Sequence, residues 1–176
     1  MSRLSAALVW LRRLLPRRSA RGPRLIISAN LWEELIRELG RRGGGRRESG
    51  AFLLGPRNGD ARVITKFVYL DDLDPNCLTG GITFDGRFYG RLWDICHAQQ
   101  LHVRADIHTH PSDSVRQSSI DRDNPMVSRP GHLALIVPRF ATEPIATDRV
   151  GFHEFLGADG WSSHFGDDAA ALLRVE

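Results

Sequence analysis

Lysine is nearly missing from this chain. Lys66 is the only one, so the 24 basic residues are almost all arginine. Cysteine is scarce as well: Cys77 and Cys96 are too few for a disulfide framework and lack the spacing of a CxxC metal site. The pair fits a reducing, cytoplasmic setting, with both thiols structural. No apolar run is long enough to cross a bilayer. The apolar stretch Ala6 to Leu11 leads into arginines with no small-residue cleavage site, which argues against a secretory leader. A formal charge of +3 gives no bulk case for nucleic acid, and none is expected as a partner.

What charge there is lies unevenly. Arg3, Arg12, Arg13, Arg17, Arg18, Arg21 and Arg24 crowd the first 24 residues. Among them Leu4, Leu8, Leu11 and Leu15 recur at helical spacing, so residues 1–23 read as a loosely ordered tail, a partner-docking helix or a membrane-surface anchor. The whole chain is 41% hydrophobic, and the remaining residues, 24–176, suffice for one domain.

Within that domain Leu25 to Ser28 reads as a strand. Asn30 with Glu33 predicts a capped helix start, and Leu31, Trp32, Leu35, Ile36 and Leu39 form its apolar stripe, closed by Gly40. Arg41 to Arg47, with three central glycines, follows a helix and precedes a strand. A phosphate cradle needs the reverse order, so this segment is expected to be a flexible basic connector. Ala51 to Leu54 is apolar on both faces and predicts a central strand, with Glu48 at its start. Asn58-Gly59 predicts a hairpin turn and Arg62 to Leu70 its returning strand. Asp71 to Gly86 reads as a long loop, and Phe88, Leu92, Ile95 and Cys96 as a second amphipathic helix.

The chemistry concentrates in His108-Thr109-His110-Pro111 and Ser118-Ser119-Ile120-Asp121. Val103, Ala105 and Ile107 alternate with His102, Arg104 and Asp106, the pattern of a half-buried strand. His108 and His110 then leave its end on one face, and Pro111 stops it. Two imidazoles and one carboxylate, Asp121, make the donor set of a catalytic zinc site with an open position. Ser118-x-x-Asp121 also matches a capping box, and a cap and a ligand can share one helix end. By contrast His132, His153 and His164 have no ligand spacing and read as structural or surface residues. Further strands are expected at His132 to Val137, Val150 to Leu156 and Trp161 to Phe165, with a helix over Asp167 to Leu173.

The run His108-Thr109-His110-Pro111 through Ser118 and Asp121, together with Glu48-Ser49-Gly50-Ala51-Phe52-Leu53-Leu54-Gly55, resembles the JAMM metalloproteases, also called the MPN+ group. The resemblance follows element order over roughly residues 24 to 160. It implies an α+β fold: an MPN-like, cytidine-deaminase-like mixed β-sheet flanked by helices, with the zinc site at the sheet edge. It implies one Zn²⁺ on His108, His110 and Asp121, Glu48 as the catalytic acid and base, and Ser118 as the hydroxyl that stabilises an oxyanion. The implied reaction is cleavage after the C-terminal glycine of a ubiquitin-like protein, in conjugates or precursors. The compact size resembles prokaryotic members encoded beside ubiquitin-activating and conjugating enzymes, several in antiviral defence. The loops at 71–86 and 111–117 are the expected substrate contacts. Three other readings stand beside it: an inactive MPN scaffold, a nucleic-acid-associated MPN-type protein, and a small-molecule amidase.

Overall fold

A computed structural model describes residues 22–176. The leucine-striped basic segment therefore lies outside the described residues, apart from its last two positions. The described chain begins with β1 (Leu25–Ile27), which runs straight into helix α1 (Ala29–Gly43). Ser28, not Asn30, caps that helix, its hydroxyl accepting from the Leu31 N–H at 3.4 Å. The cause is distant in sequence. The Ala29 N–H donates to the Glu176 carbonyl and the Glu176 N–H to the Ile27 carbonyl, so pairing with the C-terminus keeps Ser28 extended and the helix starts directly after it.

Trp32, Leu35, Ile36 and Leu39 are buried, as their spacing predicts. The helix does not stop at Gly40. It continues to Gly43, and Gly44 closes it in the left-handed conformation (φ 59°) with its N–H on the Gly40 carbonyl. Gly40 is a glycine for another reason: a Cβ there would sit 2.5 Å from the Ala141 carbonyl oxygen. Nor is the basic stretch after it wholly a free connector. Arg42 bonds Glu38, Asp71 and Asp72 and lies 4.0 Å over the Tyr69 ring, tying the helix end to the far side of the sheet.

The main sheet has six strands: β2 (Gly50–Pro56), β3 (Lys66–Tyr69), β4 (Leu101–Thr109), β5 (Leu133–Val137), β6 (Gly151–Phe155) and β7 (Trp161–His164). Their spatial order is β3-β2-β4-β5-β6-β7, antiparallel throughout except for the parallel β4/β5 pair. Two short helices and one longer one accompany them: α2 (Leu70–Leu73), α3 (Tyr89–Ala98) and α4 (Ser119–Asp123), the last within the β4-to-β5 crossover. The expected strand from Arg62 shortens to Lys66–Tyr69, because Arg62 to Ile64 turn aside to bond Ile26 of β1. Likewise the predicted 71–86 loop begins as α2, and an isolated bridge between Leu78 and Ile82 orders its middle. The chain ends in helix α5 (Asp167–Leu172) and a strand the sequence pattern did not suggest, β8 (Leu173–Val175), parallel to β1.

Both faces of the sheet are covered. Ala51 and Leu53 of β2 face a core built with α1, β1 and α5, whereas Phe52 and Leu54 face a second core under α2 and α3. The expected alternation of β4 breaks at one point. Leu53 pairs with Ala105 and Leu54 with Val103, which leaves Arg104 as an extra, bulged residue. Beyond the bulge Leu101 and Val103 join the second core, whereas Ala105 and Ile107 stay in the first. Asp106, expected on an open face, is instead buried beside His132.

Candidate metal centre

The site forms where β4 ends. That edge is the rim made by strand termini in the middle of the sheet, since β4 is flanked by β2 on one side and β5 on the other. His108 pairs across the antiparallel ladder with Gly50, so β2 carries Glu48, two residues earlier, to the same face and the same rim. Only glycine fits at position 50. A Cβ would lie 2.8 Å from the Ile107 carbonyl oxygen and 2.7 Å from a Leu70 methyl.

Two polar residues at strand ends, one just before β2 and one closing β4, lock this junction, and neither was singled out from the sequence. Ser49 and Thr109 are fully buried, and they exchange bonds: the Ser49 N–H donates to Thr109 Oγ1 and the Thr109 N–H to the Ser49 carbonyl, both at 2.9 Å. The Ser49 hydroxyl also donates to the Leu39 carbonyl at 2.7 Å, anchoring the rim to α1. Their available signal was position, one beside Glu48 and one between the two histidines.

His110 is held from three directions. Its N–H donates to the Val137 carbonyl, its own carbonyl accepts from the Phe140 N–H, and Nδ1 lies 3.0 Å from the Ser114 carbonyl. A carbonyl can only accept, so Nδ1 carries the proton there and Nε2 faces the site, with a lone pair when it ligates and a proton when it bonds Asp121. The Phe140 bond comes from an unusual turn: Arg139, Phe140 and Ala141 all have left-handed φ of 51–54°. Such residues cost about 1–2 kcal/mol each, so the turn persists only because its surroundings hold it. Arg139 does so by donating its N–H to the Ser112 carbonyl and its guanidinium to Asp113.

Asp121 arrives on α4. Ser118 caps that helix reciprocally, its hydroxyl accepting from the Asp121 N–H at 3.1 Å while the Ser118 N–H donates to Asp121 Oδ2 at 2.6 Å. The hydroxyl is thus an acceptor within the cap and keeps its own proton for donation outward. Capping therefore leaves the expected donor role of this hydroxyl open. Trp161 of β7 fixes the helix further, its indole N–H donating to the Arg122 carbonyl.

These supports bring three donors together. His108 Nε2 and His110 Nε2 are 3.2 Å apart, His110 Nε2 and Asp121 Oδ2 3.3 Å, and His108 Nε2 and Asp121 Oδ1 3.6 Å. Donors about 2.0–2.1 Å from one tetrahedral ion are separated by about 3.3–3.4 Å, so the residues present fit Zn²⁺. Among the described residues His108, His110 and Asp121 are the group whose donor atoms converge in this way. Burial works against the Asp121 carboxylate charge, but bonds from His108, His110 and Ser118 outweigh it and hold the group far below the usual carboxylate range. Burial also opposes charge on His110, and Asp121 more than offsets it, so that imidazole is shifted up. Glu48 goes the other way from Asp121: burial raises its pKa despite the nearby histidines.

A cleft of about 710 Å³ opens on the group. Glu48, His108, Ser118 and Asp121 border it together, so all the expected site residues but His110 lie on its wall. Gly81, Ile82, Thr83 and Phe84 from the 71–86 segment form one side. The 111–117 segment contributes only Gln117. In the same segment Asp113 pairs with Arg139 and Arg149. His153 is structural, its ring bonded to Ser163 Oγ and the Val115 carbonyl, and His132 is buried against Asp106.

No protein-family model matches the chain. Solved structures do share its fold. A solution structure of a protein from Desulfitobacterium hafniense superposes with a TM-score of 0.61 at 19% identity, covering 86% of this chain and 94% of that one. Another, from Salinibacter ruber, gives 0.54 at 17% identity over 85% and 91%. A crystal structure of a JAB1/MPN domain protein from Archaeoglobus fulgidus is a looser match, 0.45 at 17% identity over 88% and 100%. Among the described residues no helix is long and apolar enough to cross a membrane.

Proposed function

We propose that the chain is a zinc-dependent peptidase of the JAMM type that hydrolyses the amide bond after the C-terminal glycine of a ubiquitin-like protein, in conjugates or precursors, within a bacterial conjugation or antiviral defence pathway. One observation carries the reading: three donors at tetrahedral spacing converge beside a cleft that a half-buried glutamate and an exposed serine hydroxyl also border. His108, His110 and Asp121 would hold the ion. When bound, Zn²⁺ supplies Lewis acidity, polarising a carbonyl and making water a stronger acid.

The chain's own groups do the rest. Glu48, whose burial makes it a better base than an ordinary carboxylate, takes the proton of the attacking water and returns it to the departing amine. Ser118 donates its hydroxyl proton to the carbonyl oxygen as that oxygen gains charge. Two features favour a protein substrate with an extended, small-residue tail. Ile120, beside ligand Asp121 on the cleft wall, is 67% exposed and offers an apolar contact to a folded partner. On the 71–86 side Gly81 leaves the space next to Glu48 free of a side chain, since a Cβ there would sit at contact distance, 3.5 Å, from its carboxylate.

The test uses zinc-loaded protein and a fusion of a ubiquitin-like protein from the source organism, extended beyond its final glycine. Wild type cuts after the glycine, while Glu48→Gln keeps its zinc and loses about 10²–10⁴ in rate. The same variant, expressed in those cells, captures a small β-grasp protein ending in glycine. Unchanged cleavage by Glu48→Gln, or wild type holding no stoichiometric metal, overturns the reading and favours a scaffold.

A further inference from the structure

The rim of the sheet opposite the metal centre carries a second concavity. It holds about 440 Å³ and lies at the N-terminal ends of β4 and β5, where His102 and Leu133 border it. His102 and His108 are six residues apart on one strand, which separates the two rims by about 20 Å. The new pocket's lining contains no acidic residue but includes Arg24, Arg62, Arg104, Arg129 and His102. Two of these charges are balanced: Arg24 forms a two-pronged bond with Glu154, and Arg62 one with Asp60. The others are not. Arg104 donates to the Pro56 carbonyl and leaves its buried Nε without an acceptor, and no ion pair involves Arg129 among the described residues.

His102 stands beside these groups, shifted down first by burial and then by the positive charges of Arg57, Arg104 and Arg129. Uncompensated cations in a concave site favour an anion. Trp93 adds a second requirement. It borders the same pocket, is 46% exposed although large and apolar, and lies on α3 with its ring parallel to Tyr89 (18°, centroids 6.0 Å apart), which fixes its plane. An oriented, exposed indole beside guanidinium groups is what a flat ring bearing phosphate would meet. The volume suits a small ligand better than the flat face of a protein. The described chain also enters at this pocket, through Arg24, directly after the arginine-rich first residues.

We propose that this pocket binds a nucleoside phosphate, its phosphates on Arg104, Arg129 and His102 and its base against Trp93, either as a free nucleotide or as the end of a nucleic-acid strand. The site is independent of the metal centre and of the reaction proposed for it.

The experiment titrates the full, zinc-loaded chain with ATP, with a short single-stranded DNA oligonucleotide and with inorganic phosphate. Saturable binding of ATP or of the oligonucleotide is expected, weakened about tenfold or more by Arg129→Glu and by Trp93→Ala, with metal content and thermal midpoint unchanged. Tighter binding of ATP identifies a free nucleotide as the ligand, and tighter binding of the oligonucleotide, steeply dependent on salt, identifies a strand. Several results overturn the proposal. They are no saturable binding, inorganic phosphate bound as tightly as ATP and the oligonucleotide, binding that survives both substitutions, or an equal loss with Arg37→Glu on the exposed face of α1.

Discussion

Two histidine–carboxylate pairs sit on β4 and its neighbours at the same separation, 3.3 Å, and differ in everything that matters for chemistry. His132 and Asp106 face each other with side chains 4% and 6% exposed, and the remaining carboxylate oxygen is enclosed. His110 and Asp121 are joined by a third donor, His108, and two of the three, His108 and Asp121, border the cleft, which Asp106 reaches only with its 6% exposed side chain. A carboxylate beside an imidazole is therefore not a site by itself. Convergence of three lone pairs with room for a fourth group is what distinguishes one end of the strand from its middle.

The sharpest way to break this contrast is to remove one donor from each pair. Asp121→Ala should abolish zinc binding, read by metal analysis, and with it hydrolysis. Asp106→Asn should leave both intact and lower only stability, by about 1–3 kcal/mol in a denaturant titration. Loss of metal in the second variant would show that the buried pair supports the ligands.

Ser118→Ala comes next. Losing the donated proton should cost about 10²–10³ in rate, while losing the cap costs only about 1 kcal/mol of stability. A rate loss no larger than the stability loss implies would confine Ser118 to capping.

A smaller effect is expected at the supports. Thr109→Val removes one of the two bonds that join the Ser49 segment to the histidines, and should weaken metal affinity or activity about tenfold to a hundredfold. Gly40→Ala pushes on the Ala141 carbonyl and hence on the left-handed turn behind His110. Such overpacking costs about 1–3 kcal/mol, visible in the thermal midpoint of the metal-free protein.

The third buried histidine of the sheet supplies a pH test. Burial holds His153 down to about 4 from an ordinary 6.5, opposed by its bond to the Val115 carbonyl. The unfolded chain thus binds the proton more readily than the folded one between those values. Stability present above pH 6.5 should fall as pH drops toward 4, by about 3 kcal/mol in all. His153→Gln should flatten that part of the pH–stability curve, and a variant as steep as wild type would assign the slope elsewhere.

Much of the centre was legible from residue order. The strand ending in His108-Thr109-His110, the stop at Pro111 and the helix start at Ser118 follow from local rules, and the structure places all of them as expected. The central position of β2 followed from its two apolar faces. Less legible was everything decided by a remote partner. Ser28 caps α1 because Glu176 pairs beside it, and Gly40 is required by Ala141. Arg104 bulges because the facing strand is one residue shorter there. The pattern of alternating residues could not show that the face of β4 changes at that point.

Sequence alone determined the kinds of atom available at the centre and the elements that carry them, because ligand type, strand period and cap chemistry are properties of neighbouring residues. Tertiary structure decided the rest: the opposition of Gly50 and His108 that brings Glu48 to the metal rim, the Ser49–Thr109 exchange, and the strained turn that holds His110. Each of these depends on a contact between residues dozens of positions apart. Such contacts form when both faces of the sheet are buried together, and that burial is a property of the whole folded chain.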